Sequence, residues 1–170
     1  MEGSFEEYVT ARGDALLRFA YVLSGDRHLA EDLVQEVLAR IHRRWHRMAE
    51  VEQPDAYLRR AIVRQFISWR RRRASSETPT DRLPELESPV DTATRQAAQD
   101  EMWRLLATLP RKQRAVLVLR FYEDLPDTEI ADVLGCRQTT VRVHASRGLA
   151  RLRQLLSSSS VVAKPIGGRL

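Results

Sequence analysis

The sequence predicts an all-α chain, built as two small helical domains joined by a flexible acidic linker. Three observations carry that expectation. Apolar residues recur at three- and four-residue intervals in an N-terminal block and again in a C-terminal one, the period of a helix face. No alternating β-branched run is bounded by turn residues, so strand signals are missing. Between the blocks, SSETPTDRLPELESPVDTATRQAAQD (75–100) has three prolines in its first two thirds, and six acidic side chains against two basic ones. That is linker composition. The expected boundaries are a domain over 1–74, a linker over 75–99, a domain over 100–156 and a Ser-rich tail over 157–170 that frays. Free of docking contacts, the two domains would move independently.

In the first block, Phe5, Val9, Leu16, Phe19, Ala20 and Leu23 mark one or two helices. Ser24-Gly25-Asp26 breaks the chain, and Asp26 is a good N-cap. Leu29, Leu33, Val37, Ile41 and Trp45 follow at strict i+4 intervals, an amphipathic helix of about four turns. Pro54 suits the first turn of the next helix, where Leu58, Ile62, Phe66 and Trp69 form the buried stripe. Arg59, Arg60, Arg64 and Arg70 to Arg73 coat the rest. A charge run is ordinarily a solvated face. Seven arginines interleaved with aromatics on one helix point instead to a nucleic-acid surface.

In the second block, Trp103, Leu106 and Leu109 begin the core, and Arg111 to Tyr122 forms a helix carrying Val116, Leu119 and Phe121. Ile130, Ala131, Val133 and Leu134 form a short helix, which Gly135 ends with a positive φ. Val141, Ala145, Leu149 and Leu152 then share one face, with Arg142, Arg147, Arg151 and Arg153 largely off it. This is a helix-turn-helix pattern whose second helix suits a DNA major groove. An ordinary helical hairpin with a basic face is the alternative.

Composition narrows the function further. The net charge is +5, apolar residues make up 43%, and no run reaches the length of a membrane span. The acidic start MEGSFEEYVT has no signal-peptide pattern. Cys136 is the single cysteine, which excludes an internal disulfide and suits a reducing, cytoplasmic setting; in its tight turn it packs as a small apolar residue. There is no Walker loop, HExxH motif or cysteine-nucleophile arrangement, so no enzyme is expected. His42 and His46 stand at i,i+4 but lack a third ligand nearby, so neither a metal nor a cofactor is expected.

AEDLVQEVLARIHRRW, PDAYLRRAIVRQFISWRRRR and LPRKQRAVLVLRFYEDLPDTEIADVLGC, in that order, resemble an extracytoplasmic-function sigma factor, and are similar to the actinobacterial SigE-family RNA polymerase sigma factors. The likeness covers nearly all of residues 5–155. It implies a non-catalytic protein that binds core RNA polymerase at its clamp and flap, recognises two promoter elements, and opens the duplex; an anti-sigma factor is a further partner. The first domain would be region 2 and the second region 4. The resemblance places Asp32, Leu33, Gln35 and Glu36 on the helix that docks on the polymerase clamp, with Gln35 and Glu36 off the apolar stripe. It matches Met48 to Tyr57 to the segment that captures an extruded −10 base, giving Met48, Asp55, Tyr57, Arg60 and Arg64 as the −10 set. Arg137, Gln138, Thr139, Thr140, Arg142, Val143 and Arg147 form the −35 set.

The departures are informative. Arg64 stands where the family often has Asn, Pro126 where Ser commonly caps, and Val143-His144 where a Ser-Arg pair is common. Asp124 or Asp127 is the expected substitute cap for the helix after Pro126. Arg137 cannot cap as Ser does. The competing reading is a stand-alone helix-turn-helix regulator, which explains the second block and leaves DLVQE unused.

Overall fold

The computed structural model describes residues 4–48, 51–73 and 93–162. The linker up to residue 92, the end of the tail, and the side chains of Trp69 and Arg70 to Arg73 lie outside the described residues. Every element is helical: α1 (Phe5–Ser24), α2 (Arg27–His42), α3 (Trp45–Met48), α4 (Pro54–Arg73), α5 (Ala93–Ala107), α6 (Arg111–Phe121), α7 (Asp127–Leu134) and α8 (Gln138–Val162). No strand occurs among the described residues. α5 begins at Ala93, within the segment 75–99 read as the linker.

Local chemistry sets the boundaries. Ser4 caps α1 through the Glu7 N–H while the Glu7 carboxylate accepts from the Ser4 N–H, a reciprocal capping box. Gly25 ends α1 at φ 69°. Asp26 caps α2 as expected, accepting from the Leu29 N–H at 2.9 Å. Trp45 does not extend α2; the chain turns at Arg43 and Trp45 opens α3, which sets its ring against Phe5 and Tyr8. The α7 cap differs from expectation. Neither acidic residue caps it: Asp124 sits at φ 53° in the turn, and Asp127, inside the helix, binds Arg120 and Arg142. Pro126 occupies the N-cap position without a side-chain bond.

The apolar stripes meet as their spacing requires. Leu16, Phe19, Leu23, Leu33, Val37, Leu58, Ile62 and Phe66 are buried in the first bundle of α1, α2 and α4. Val116, Leu119, Ile130, Val133, Val141 and Ala145 are buried in the second, where α6 and α7 pack on α8. Burial of a Leu, Ile or Phe stabilises by about 1.5–3 kcal/mol relative to exposure, so these stripes are the main driving force of each bundle.

The two bundles dock, and their buried residues form one continuous cluster. Arg114, 7% exposed, fastens the joint. One Nη donates to the Leu23 and Ser24 carbonyls at 3.3 and 2.8 Å, and the other to the Leu109 carbonyl at 3.0 Å and to that of Ala107. Burial, with Arg111 nearby, pulls its pKa down to about 10, so it stays charged at neutral pH. Three of the bonded carbonyls, those of Leu23, Ser24 and Ala107, lie at the C-terminal, negative ends of α1 and α5. Gly25 makes the close approach possible: a Cβ there would sit 2.7 Å from the Ala107 Cβ.

Candidate nucleic-acid interface

The end of α2, α3 and the inner face of α4 enclose a cleft of about 830 Å3. Arg40, Arg44, Arg47, Met48, Tyr57, Arg60, Arg64 and Gln65 line it. The i+4 stripe of α2 turns Ile41 to the core, which leaves Arg40 and Arg44 on the cleft side. Pro54 starts α4 so that Tyr57, Arg60 and Arg64 follow on one helical face. Tyr57 exposes 46% of its surface, leaving a ring on which a base can stack. Gln65 is 4% exposed, and its Nε2 has no hydrogen-bond partner among the described residues. A buried amide donor left unbonded costs about 1–3 kcal/mol, so this group is a candidate for pairing with a ligand.

The structure therefore brings together Met48, Tyr57, Arg60 and Arg64 and leaves Asp55 out. Asp55 accepts from the Tyr8 hydroxyl at 2.6 Å and pairs with Arg12 at 3.4 Å, lining a separate cleft with Trp45 and Arg59. Burial and that carboxylate push the Tyr8 pKa up. Asp55 thus ties α1 to α4. Arg40, Arg44, Arg47 and Gln65 were missed by sequence reasoning; basic residues one turn apart beside the HRRW stretch were the available signal.

On α2, Asp32 and Gln35 are exposed and Glu36 is half-buried. Leu33 is the exception, with 0% exposure. Its side chain lies on the stripe that packs in the core, so it positions its neighbours and offers no contact surface.

The helix-turn-helix forms as its pattern requires. Gly135 adopts φ 61°, and the Cys136 N–H returns to the Ala131 carbonyl at 3.0 Å. Cys136 is half-buried against the core. The Arg137 carbonyl accepts from Thr140 and Val141, starting α8 through the backbone where no Ser is available. Arg137, Gln138, Thr139, Arg142, Val143 and Arg147 are exposed, Thr140 is half-buried and Val141 is buried. Six of the seven −35 candidates thus share one outward surface. Arg142 bonds Asp127 at 3.3 Å. The Arg120 hydrogen bond holds the Asp127 carboxyl below its ordinary range. Burial, with Lys112 and Arg147 nearby, pushes the His144 pKa down.

A third surface lies between the bundles and the end of α8. It is an apolar groove of about 430 Å3, lined by Val22, Met102, Leu106, Phe121, Tyr122 and Leu156 among others. Phe121 exposes 65% of its surface. Among the described residues no group of three His, Cys, Asp or Glu side chains is placed to hold a metal, and no helix is long and apolar enough to cross a membrane. His42 packs against the Phe5 ring at 4.6 Å.

One bundle thus carries an arginine-lined cleft and the other a helix-turn-helix. Sigma-70 region 2 matches residues 8–76 and sigma-70 region 4 matches residues 99–152. The RNA polymerase sigma-E factor of Streptomyces coelicolor is 42% identical over 163 residues, covering 95% of this chain and 91% of that protein. The ECF RNA polymerase sigma factor SigE of Mycolicibacterium smegmatis is 32% identical, covering 92% of this chain and 63% of that one. The sigma factor RpoE of Bartonella quintana, solved in complex with the anti-sigma factor NepR, shares the fold at a TM-score of 0.62 and 24% identity, over 90% of this chain and 96% of that chain. The chain belongs to the sigma-70 family and is an extracytoplasmic-function RNA polymerase sigma factor. Matches to both regions disfavour the stand-alone regulator.

Proposed function

We propose that this sigma factor binds core RNA polymerase through the exposed α2 face of Asp32, Gln35 and Glu36, receives an extruded −10 base in the α2–α3–α4 cleft, and reads the −35 duplex with α8. The observation that carries the reading is the cleft itself. It combines five arginines, an exposed tyrosine ring and a buried amide with spare bonding capacity. Unstacking a base costs a few kcal/mol, and stacking on an aromatic returns about 1–3 kcal/mol. The arginines attract the flanking phosphates, and Gln65 supplies an edge contact that distinguishes bases.

The apolar groove around Phe121 suits a second polymerase contact of apolar, helical character, the expected flap site. The protein contributes no catalytic chemistry of its own and works in the cytoplasm, where polymerase meets promoter. An anti-sigma factor covering these faces would silence it.

Holoenzyme built from wild-type, Tyr57→Ala and Gln65→Ala proteins tests this on promoters with 2-aminopurine in the −10 element. Wild type should raise the fluorescence as the base leaves the stack. Tyr57→Ala should reduce that signal at equal core binding, and Gln65→Ala should alter the preferred −10 base. Unchanged signal and preference in both variants would remove the cleft from the mechanism.

A further inference from the structure

Six large apolar side chains are exposed among the described residues. Tyr57 stands in the α2–α3–α4 cleft, and Met102, Phe121, Tyr122 and Leu156 line the apolar groove. Val143 is left over. It is 44% exposed on α8 and belongs to neither the groove nor the core cluster.

Its direction follows from the helix. Val141, Ala145, Gly148 and Leu152 form the buried face of α8. A Cβ at Gly148 would sit 3.0 Å from Cδ1 of Leu117, so this face is pressed onto α6. Each residue rotates a helix by about 100°, so Val143 points about 160° away from Val141, straight out of the bundle. Thr139 and Arg147 are exposed one turn to either side of it on the same line, with Arg142 and Ser146 beside them. The position on α8 that faces farthest from the core, amid hydroxyls and guanidiniums, thus holds a side chain that can neither donate nor accept a hydrogen bond.

That chemistry narrows what Val143 can meet. Branching at Cβ holds it close to one χ1 rotamer in a helix, so its methyl groups are presented at one place with little ordering cost. The base edges of the major groove carry acceptors, amino donors and a single apolar group, the C5-methyl of thymine. Against an acceptor or amino edge, valine would displace water and return no bond. Against a thymine methyl, two apolar surfaces leave water together and no polar group is stranded.

We propose that Val143 reads a thymine 5-methyl group in the −35 element, beside the bases approached by Arg142 and Arg147. The inference rests on the −35 reading above and names a base that the reading left open. Ser is common at this position in the family, so the preference is this chain's own. Burial of one methyl-sized group changes affinity about fourfold, enough to separate thymine from cytosine at one base pair.

The test uses holoenzymes carrying wild type, V143A, V143I and R142A/R147A, competed at equilibrium on promoter duplexes whose −35 element the wild type has selected from a randomised pool. Each −35 thymine is replaced singly by deoxyuridine, which removes the methyl group and leaves the pairing and the O4 acceptor in place. Deoxyuridine at one position should weaken wild type about fourfold. V143A should bind the thymine duplex about fourfold more weakly and no longer distinguish thymine from deoxyuridine there, whereas V143I should still do so. A selected element without thymine, a flat deoxyuridine scan in wild type, or an equal penalty in wild type and V143A overturns the methyl contact. Weakened binding by R142A/R147A in the same titrations leaves the −35 reading standing in each of those cases. Undiminished binding by R142A/R147A overturns the −35 reading itself, and the methyl contact with it.

Discussion

The two proposed DNA surfaces differ in what holds their arginines when no DNA is present. On α4, Arg60 and Arg64 are engaged by groups of the other bundle, and their neighbour Arg59, in the separate cleft, pairs with Glu123, whose side chain is only 11% exposed. On α8, Arg142 keeps 67% of its side chain exposed and meets one carboxylate at 3.3 Å, and Arg137 and Arg147 point outward. The arginines of α8 thus face solvent, and those of α4 are bonded within the chain. Both contain arginines suited to phosphate. The fold around them decides which is available, so counting basic residues does not measure readiness to bind.

The comparison breaks most severely at the joint. Arg114→Ala removes a charged donor from four carbonyls, and bonds from charged groups contribute about 1.5–3 kcal/mol each. It should lower the unfolding free energy by about 3 kcal/mol and expand the chain, as read by chemical denaturation and scattering. A compact variant with wild-type stability would show that the bundles are held by apolar contact alone. Next in size is Arg142→Ala, which should flatten preference at one −35 position by about 1–3 kcal/mol without affecting core binding. Competition across −35 variants decides; equal loss on every variant rejects base reading. Arg137→Ala should weaken all −35 sequences alike and reduce the salt slope by about one, measured by titrations at several salt concentrations.

The smallest expected effect concerns Asp127, which holds Arg120 and Arg142 inside the second bundle. Its folded pKa lies below the ordinary value near 3.8. It therefore stabilises above that value, and the contribution disappears as pH falls through the lowered one. Asp127→Asn should be slightly less stable than wild type from pH 8 to about 5, with the gap closing below pH 4. A gap that persists in acid would assign the effect to geometry rather than charge.

Much of this was legible in the sequence because stripe spacing is local information. Leu58, Ile62 and Phe66 repeat at four-residue intervals, and a helix that buries one must bury the others. Asp26 and Gly135 act within a few residues of themselves. The docking was illegible for the opposite reason: Arg114 bonds carbonyl oxygens, which every residue has and no pattern marks. Its one trace is an arginine beside Ala115 and Val118 on the apolar arc of α6. Asp55 and Leu33 were placed by resemblance rather than by spacing. Their positions match a functional motif, yet Asp55 serves Tyr8 and Arg12, and Leu33 serves the core. Gln65 sat in the middle of an apolar run and carried no motif, so only its buried, unbonded amide revealed it.

Arg114 reaches main-chain oxygens on both sides of the joint, and this has a genetic consequence. Substituting the side chains of Leu23, Ala107 or Leu109 leaves the acceptors in place, so the bond set tolerates drift on that side. Loss of the guanidinium has no such tolerance. No exchange of side chains across the joint can restore it, because the acceptors are not side chains. In a screen for second-site suppressors of Arg114→Ala, revertants restoring these bonds should be confined to codon 114, whereas Arg60 and Glu129 should yield reciprocal charge-swap pairs.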